Sequence, residues 1–259
     1  MLWAAFLAPG EGRRIRPVVA VAALVGLSLI ALRLGLRGAG LTGDWDGFTD
    51  TDMIGLLLET SVAAVAGWRA AGFGLLAVWA LVPRLGHAPG LAGAAALIWS
   101  FTVVGHVSEL PRDWATATLV HLGMVALWMA ALLTLRRLAR AGDPAAGPAA
   151  ERFGRVAIWA VAALVLAGLA LGWRLLGGGF APLVTTAYGW TLLAKLAVVA
   201  GLLGLAALNK LRLSPALAAG DPTAGRRLAR SIEWEVAAVA VILTLTAVLT
   251  IVTALPTVA

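Results

Sequence analysis

Apolar residues occur along the chain in long runs, and each run would be apolar on every side of a helix. A bilayer core is crossed by about 20 helical residues at a rise of about 1.5 Å each. Pro, Gly or charged residues bound each run, as at the ends of membrane helices. The pattern predicts seven spanning helices, at residues 17–36, 61–82, 91–109, 114–135, 155–176, 187–209 and 232–254.

The composition agrees with a membrane protein. Of the residues, 61% are hydrophobic and 13% charged, whereas soluble domains contain about 25% charged residues. We therefore predict an all-α fold, a polytopic transmembrane helical bundle that forms a single membrane domain over residues 1–259, with the lipid bilayer as its main partner. The opening MLWAAFLAPGEGRR lacks the order of charge, apolar stretch and cleavage site of a signal peptide, so we expect it to be retained.

The distribution of Lys and Arg predicts the orientation. Basic residues concentrate in alternate connections, which are expected to face the cytoplasm, while the opposite connections are mostly acidic. The amino terminus is then cytoplasmic and the carboxyl terminus periplasmic or extracellular, in a bacterial inner membrane. The residues of the basic set are Arg13, Arg14, Arg16, Arg84, Arg136, Arg137, Arg140, Arg152, Arg155, Lys210, Arg212, Arg226, Arg227 and Arg230.

Several function classes are excluded by what the sequence lacks. There is no cysteine, so disulfides, thiolate metal sites and CxxC redox chemistry are absent. No Gly-rich phosphate loop, nucleophile elbow or HExxH motif occurs, so hydrolase and NTPase functions have no support. The net charge of +7 fits topology and anionic lipid better than nucleic acid, because no basic patch is interleaved with aromatics on a soluble module.

Four ionisable residues lie inside predicted spans, away from the basic ends: Arg69, His106, His121 and Lys195. A charge in such a position costs at least ~2.5 kcal/mol on insertion scales, so each marks a functional hypothesis. Helical rise places all four in the outer half of the membrane, with Arg69 and Lys195 about 12 Å deep.

The helix face around His121 carries a second candidate ligand. Met124 at i+3 and Trp128 at i+7 share this face, and Met129 lies beside it. Imidazole and thioether suit copper, and neutral imidazole also binds haem iron. His106 and Glu109 precede the next helix and are further candidates. A second interpretation stays open, in which the histidines are hydrogen-bonded packing residues and the methionines fill space.

Two features bear on the helix arrangement. Thr60 to Arg69 aligns with Thr186 to Lys195, and VAALV occurs at both 21–25 and 161–165, so an internal repeat is a second expectation. Glu233 and Glu235 near the start of the last span are expected to favour its N-terminal dipole and to pair with nearby arginines.

Several segments, in order along the chain, resemble the CopD copper-resistance membrane family. They are GHVSEL at 105–110, VHLGMVALWMAALLTL at 120–135, ERFGRVA at 151–157, TAYGWTLLAKLAVVAGLLGLAALNKLRL at 186–213, and a last span that carries ExE. Family members usually have eight spans, and MLWAAFLAP here resembles only the tail of their opening helix. The positions that match the family are His106, His121, Trp128, Tyr188, Lys195 and Asn209.

The resemblance implies a copper-handling inner-membrane protein that moves copper ions from the periplasmic side, alongside a periplasmic copper carrier. The copper ligands would be His106, His121, Met124 and Glu109. Arg69, Trp128, Tyr188, Lys195 and Asn209 would line the transport path.

Two alternatives accompany this hypothesis. The segment HLGMVALWMAALLTLRRL is also similar to the HemJ family, haem-containing membrane oxidoreductases that use a His and an intramembrane Lys near the haem; His121 and Lys195 match these roles, with haem b as the cofactor. The third hypothesis is a non-catalytic membrane subunit of a larger complex. A visible absorption spectrum separates the first two.

Overall fold

The computed structural model describes residues 11–221 and 223–256, which form helices joined by turns and contain no strand. The helices in chain order are α1 Glu11–Thr42, α2 Thr51–Leu58, α3 Ser61–Leu81, α4 Ala88–Trp99, α5 Trp114–Arg140, α6 Ala146–Leu175, α7 Pro182–Thr185, α8 Ala187–Leu208, α9 Ser214–Ala218 and α10 Ala224–Ile251. A π-helical segment, Asn209–Leu213, joins α8 to α9.

Six of these helices, α1, α3, α5, α6, α8 and α10, are long and apolar enough to cross a membrane. This confirms the predicted polytopic helical bundle. Most observed helices extend beyond their apolar runs, because the charged residues at the run ends are also good helix formers. The predictions for the opening residues and for the side on which the last residue lies concern positions outside the described part of the chain.

The predicted helix at 91–109 is wrong in its second half. Helix α4 ends at Trp99, and turns follow until a short 3-10 helix at His106–Glu109. The Ser100 and Thr102 hydroxyls donate to the carbonyls of Leu97 and Trp99, at 2.7 and 2.8 Å. Such local bonds compete with helix continuation. Gly105 then adopts a positive φ of 71°, which favours glycine.

The described residues fall into two compact units, and the boundary lies in the first turn of α5. In the first unit, α3 and α4 pack closely where Gly72 faces Gly93. Helix α1 lies against α3, where Gly26 leaves room for the ring of Phe73. Arg16 of α1 donates to the Trp79 carbonyl at 2.6 Å.

The second unit has a continuous apolar core made by α5, α6 and α10. Small residues of α6 interlock with larger side chains of α5 and α10, a pattern typical of close helix packing in membranes. Much of the remaining apolar surface, including Leu166 and Trp159, is exposed, as expected of helices that face lipid. The core includes Trp128, Leu132, Leu135, Leu138, Ala149, Ala150, Phe153, Leu228 and Ile232.

Each unit contains a matching run of elements, which supports the predicted repeat. A long helix, a short helix and a capped helix follow one another as α1, α2 and α3, and again as α6, α7 and α8. Thr60 caps α3 by accepting from the Val62 N–H at 3.2 Å. Thr186 caps α8 by accepting from the Gly189 N–H at 3.0 Å.

Candidate functional site

His121 is held by a specific hydrogen bond between two helices. The residue lies on α5, partly buried, and its Nδ1 atom is 3.1 Å from the backbone carbonyl oxygen of Leu164 on α6. A carbonyl oxygen only accepts, so Nδ1 carries a proton, and in the neutral ring Nε2 then keeps its lone pair. Gly168 permits the approach, because a Cβ atom there would lie 3.0 Å from Cε1 of the imidazole.

Both methionines of α5 are partly buried but differ in their surroundings. Met129 packs against the core of the second unit, so its side chain fills space between helices. Met124 follows His121 by three residues on the same helix face. Of the two thioethers, Met124 is therefore the one that shares a helix face with His121.

His106 lies in the first unit, partly buried, at the start of the short 3-10 helix His106–Glu109. It is thus carried by a turn rather than by a spanning α-helix, which corrects the predicted setting of this residue. The side chain of Glu109 is not among those described. In the described part of the chain, no three side chains of His, Asp or Glu gather into a metal-binding group.

Arg69 has neutral partners within the first unit. Its Nε donates to the Ser100 hydroxyl at 3.3 Å, and its guanidinium lies 5.2 Å from the centre of the Phe101 ring. A small cavity of about 70 Å³ beside it is also lined by Arg33 and Arg37 of α1. Arg69 is therefore an anchored cation in a basic pocket.

Lys195 occupies the same position in α8 that Arg69 occupies in α3, nine residues after the capping threonine. It is partly buried and makes no hydrogen bond or ion pair with any described residue. Its charge lies within electrostatic reach of the His121 imidazole. The second unit thus places a histidine and a lysine near one another among apolar helices.

Tyr188 does not share this neighbourhood. The side chain is buried in a small cluster with Leu176 and Leu249, against the end of α10. It helps to fix the start of α8.

Trp128 and Asn209 line a cavity of about 510 Å³ between the helices of the second unit. The cavity also contains Glu235 of α10, which is completely buried. The side-chain amide of Asn209 donates to the Glu235 carboxylate. The Trp128 indole rests edge-on against Phe153, with ring centroids 5.5 Å apart.

The predicted roles of Glu233 and Glu235 are corrected by these contacts. Both residues lie more than two turns inside α10, too far from its start to serve the helix dipole. Glu233 pairs with Arg136, at 3.1 Å, and with Arg140, both on α5. The ExE spacing could have predicted that only one of the two glutamates faces the core, because residues two apart on a helix point to nearly opposite sides.

The fold and these contacts define a multi-pass helical membrane protein with ionisable groups buried between its helices. A family model described as CopD, copper resistance protein D, matches residues 147–249, which confirms the resemblance to the CopD family. No curated protein and no solved structure matches the chain.

The matched region limits where familiar copper ligands can lie. Residues 147–249 contain no His, Met or Cys, the residue types that suit copper best. They do contain Tyr188, Lys195, Asn209 and Glu235. Any imidazole or thioether ligand would therefore have to lie outside the matched region, where His121 and Met124 are found.

Proposed function

We propose that the protein moves copper ions across a bacterial inner membrane, from the periplasmic side toward the cytoplasm. One observation carries the proposal: the CopD match over residues 147–249 falls on the five successive helices α6 to α10, and the described residues include six apolar helices long enough to span a bilayer. Copper is the cargo here, received from a periplasmic carrier. The orientation rests on the basic connections, such as the one that contains Lys210 and Arg212.

His121 is the copper ligand that the contacts favour. Metal-binding histidines usually donate one ring N–H to a carbonyl or carboxylate, which leaves the other nitrogen free to bind. The bond to Leu164 produces this state without any metal. Neutral imidazole is also the form that binds a metal.

Met124 would assist on the same helix face. A thioether is a soft ligand and favours reduced copper over harder ions. His106 and Glu109 belong to the first unit and are tested as separate contributors.

Copper uptake by cells tests this proposal. Cells that express the protein should accumulate copper faster than cells that lack it. His121→Ala should remove most of the gain, and Met124→Leu, which keeps the volume, should reduce it when copper is supplied in reduced form. Matched controls are Met129→Leu in the packed core and His87→Ala beside Trp79, and both should transport normally.

Three results would count against the proposal at different levels. Uptake equal to that of cells without the protein defeats copper movement itself. Unchanged uptake in His121→Ala removes this residue as a ligand. If His106→Ala has the larger effect, the ligand set lies in the first unit.

A haem-binding oxidoreductase is the second candidate, favoured by the proximity of Lys195 to His121. The residues fit such a group chemically: an imidazole with a free Nε2 is an axial ligand, and a lysine can pair with an anionic propionate. Bound haem would supply one-electron chemistry. A Soret band in the purified protein that His121→Ala removes would support this candidate, whereas a colourless protein that binds copper would exclude it.

A further inference from the structure

The cavity in the second unit is mostly apolar but contains a small polar group. Among its lining residues, Trp128, Asn209, Lys210, Ser214 and Glu235 carry polar side-chain atoms. It runs between α5, α6, α8 and α10 and reaches the connection that contains Lys210 and Ser214. Its volume of about 510 Å³ leaves room for several waters, each of which takes about 30 Å³ in the liquid.

Three buried atoms in this cavity lack partners among the described residues. They are Oε2 of Glu235, Oδ1 of Asn209 and Nε1 of Trp128, none of which makes a hydrogen bond of good geometry, although the Trp128 indole lies close enough to the Glu235 carboxylate to interact with it. Glu235 is 0% exposed and Asn209 8%. Buried polar atoms are nearly always hydrogen-bonded, so each exception requires an explanation. Two of these exceptions belong to residues that already share a hydrogen bond.

The two unpartnered oxygens are complementary once a proton is added. The Asn209 amide uses its N–H to reach Oε1 of Glu235, and its own oxygen is left as an acceptor. An ionised carboxylate can only accept, whereas a protonated one has an O–H donor. One proton on Oε2 gives Glu235 a donor and Asn209 Oδ1 an acceptor for it, directly or through a cavity water.

In the described part of the chain, no cation forms an ion pair that would neutralise the buried Glu235 carboxylate. Lys210 is the other ionisable residue that lines the cavity, and it makes no ion pair with Glu235 in the described part of the chain. Arg136 and Arg140 of α5 are engaged by Glu233. A buried carboxylate without a cationic partner is costly, and neutralisation by a proton removes that cost.

We propose that Glu235 and Asn209 form a proton-binding site inside the membrane-spanning helices, which exchanges protons with water at the Lys210–Ser214 end of the cavity. The carboxylate takes one proton from water or hydronium and returns it, with no change of oxidation state. Buried carboxylates in membrane helices commonly serve as proton relays. The site is separate from His121 and Met124 and does not depend on the copper proposal.

Infrared difference spectroscopy on the full-length protein in lipid nanodiscs tests the site directly. A protonated carboxylic acid has a carbonyl band that carboxylates lack. Wild type should show such a band that changes with pH and shifts in D₂O, and Glu235→Gln should lose it. Glu233→Gln, two residues away and ion-paired, should keep it.

The Glu235→Gln variant also controls for folding. The glutamine amide imitates the protonated acid, because it offers one acceptor and one N–H donor to Asn209. The variant should therefore keep the wild-type unfolding temperature. Asn209→Leu removes the partner and should shift the pH at which the band changes. The proposal is overturned if wild type shows no pH-dependent acid band, or if the band persists in Glu235→Gln.

Discussion

Gly72 of α3 and Gly93 of α4 lie backbone to backbone. A Cβ atom on Gly93 would come within 2.7 Å of the Gly72 carbonyl oxygen, and one on Gly72 would come within 3.0 Å of the Gly93 carbonyl oxygen. Backbone atoms cannot move aside as a flexible side chain can. This pair therefore sets the distance between the two helices, as small residues do in membrane bundles.

Gly93→Ala should force α3 and α4 apart and destabilise the protein by about 1–3 kcal/mol, the usual cost of overpacking. The measurement is the unfolding temperature of the purified protein in detergent. Gly74→Ala, on α3 with open space around it, is the matched control and should be neutral or stabilising. Equal effects of the two substitutions would show that the contact does not limit helix packing.

The threonine caps provide a test of the internal repeat. Thr60→Ala and Thr186→Ala should each cost about 1 kcal/mol, because each removes the side-chain acceptor at a helix start. Thr191→Ala, whose exposed hydroxyl donates to a carbonyl inside α8, should cost less. If only one cap proves important, the two helix starts are not equivalent and the repeat loses this support.

The sequence predicted the long helices because an apolar run of spanning length has few other structures open to it in lipid. It failed at α4, where bonds made by Ser100 and Thr102 and the conformation of Gly105 end the helix early. Apolar character alone does not reveal such endings. The run of residues from 91 to 109 is mostly apolar in sequence yet changes conformation halfway.

Sequence reasoning selected His121 as a candidate ligand, which stays a prediction, and missed the environment of Glu235. The hydrogen bond from Nδ1 of His121 to the Leu164 carbonyl joins residues far apart in the chain. The sequence alone therefore could not predict that Nδ1 carries a proton. The pairing of Glu233 with Arg136 and Arg140 likewise depends on helix packing. Nearby arginines in sequence were the obvious partners and proved to be the wrong ones.

The short length of α4 bears on the orientation of the last helix, because the side on which later helices end depends on whether this segment crosses the membrane. Twelve residues cover about 18 Å, less than the hydrocarbon core of about 30 Å. If the turns after Trp99 complete the crossing, a reporter fused after Ala259 lies outside and one inserted near Gly142 lies in the cytoplasm. The reverse result, with an outside signal near Gly142 and a cytoplasmic signal after Ala259, would mean that this segment enters and leaves the membrane on one side.

Asp221, in the connection before α10, gives a pH dependence outside the membrane. Hydrogen bonds from the backbone N–H and the hydroxyl of Thr223, at 2.7 and 2.8 Å, hold the pKa of Asp221 below its usual value. A lowered folded-state pKa gives stability that is fully present above the ordinary value of about 3.9. That stability is lost as the pH falls through the lowered pKa.

Asp221→Ala should therefore lower the unfolding temperature at neutral pH and have a smaller effect in strongly acidic buffer. The comparison needs wild type and variant at both pH values in the same detergent. A difference in unfolding temperature that is equal at the two pH values would show that the ionised carboxylate does not contribute.

Copper flux into proteoliposomes measures the proposed function without interference from other cellular transporters. Vesicles that contain the purified wild-type protein should take up external copper faster than protein-free vesicles, and His121→Ala vesicles with the same protein content should lose most of that excess. Uptake should also weaken in acidic external buffer, because protons compete with the metal for imidazole. A wild-type rate equal to that of protein-free vesicles would contradict copper movement by this protein.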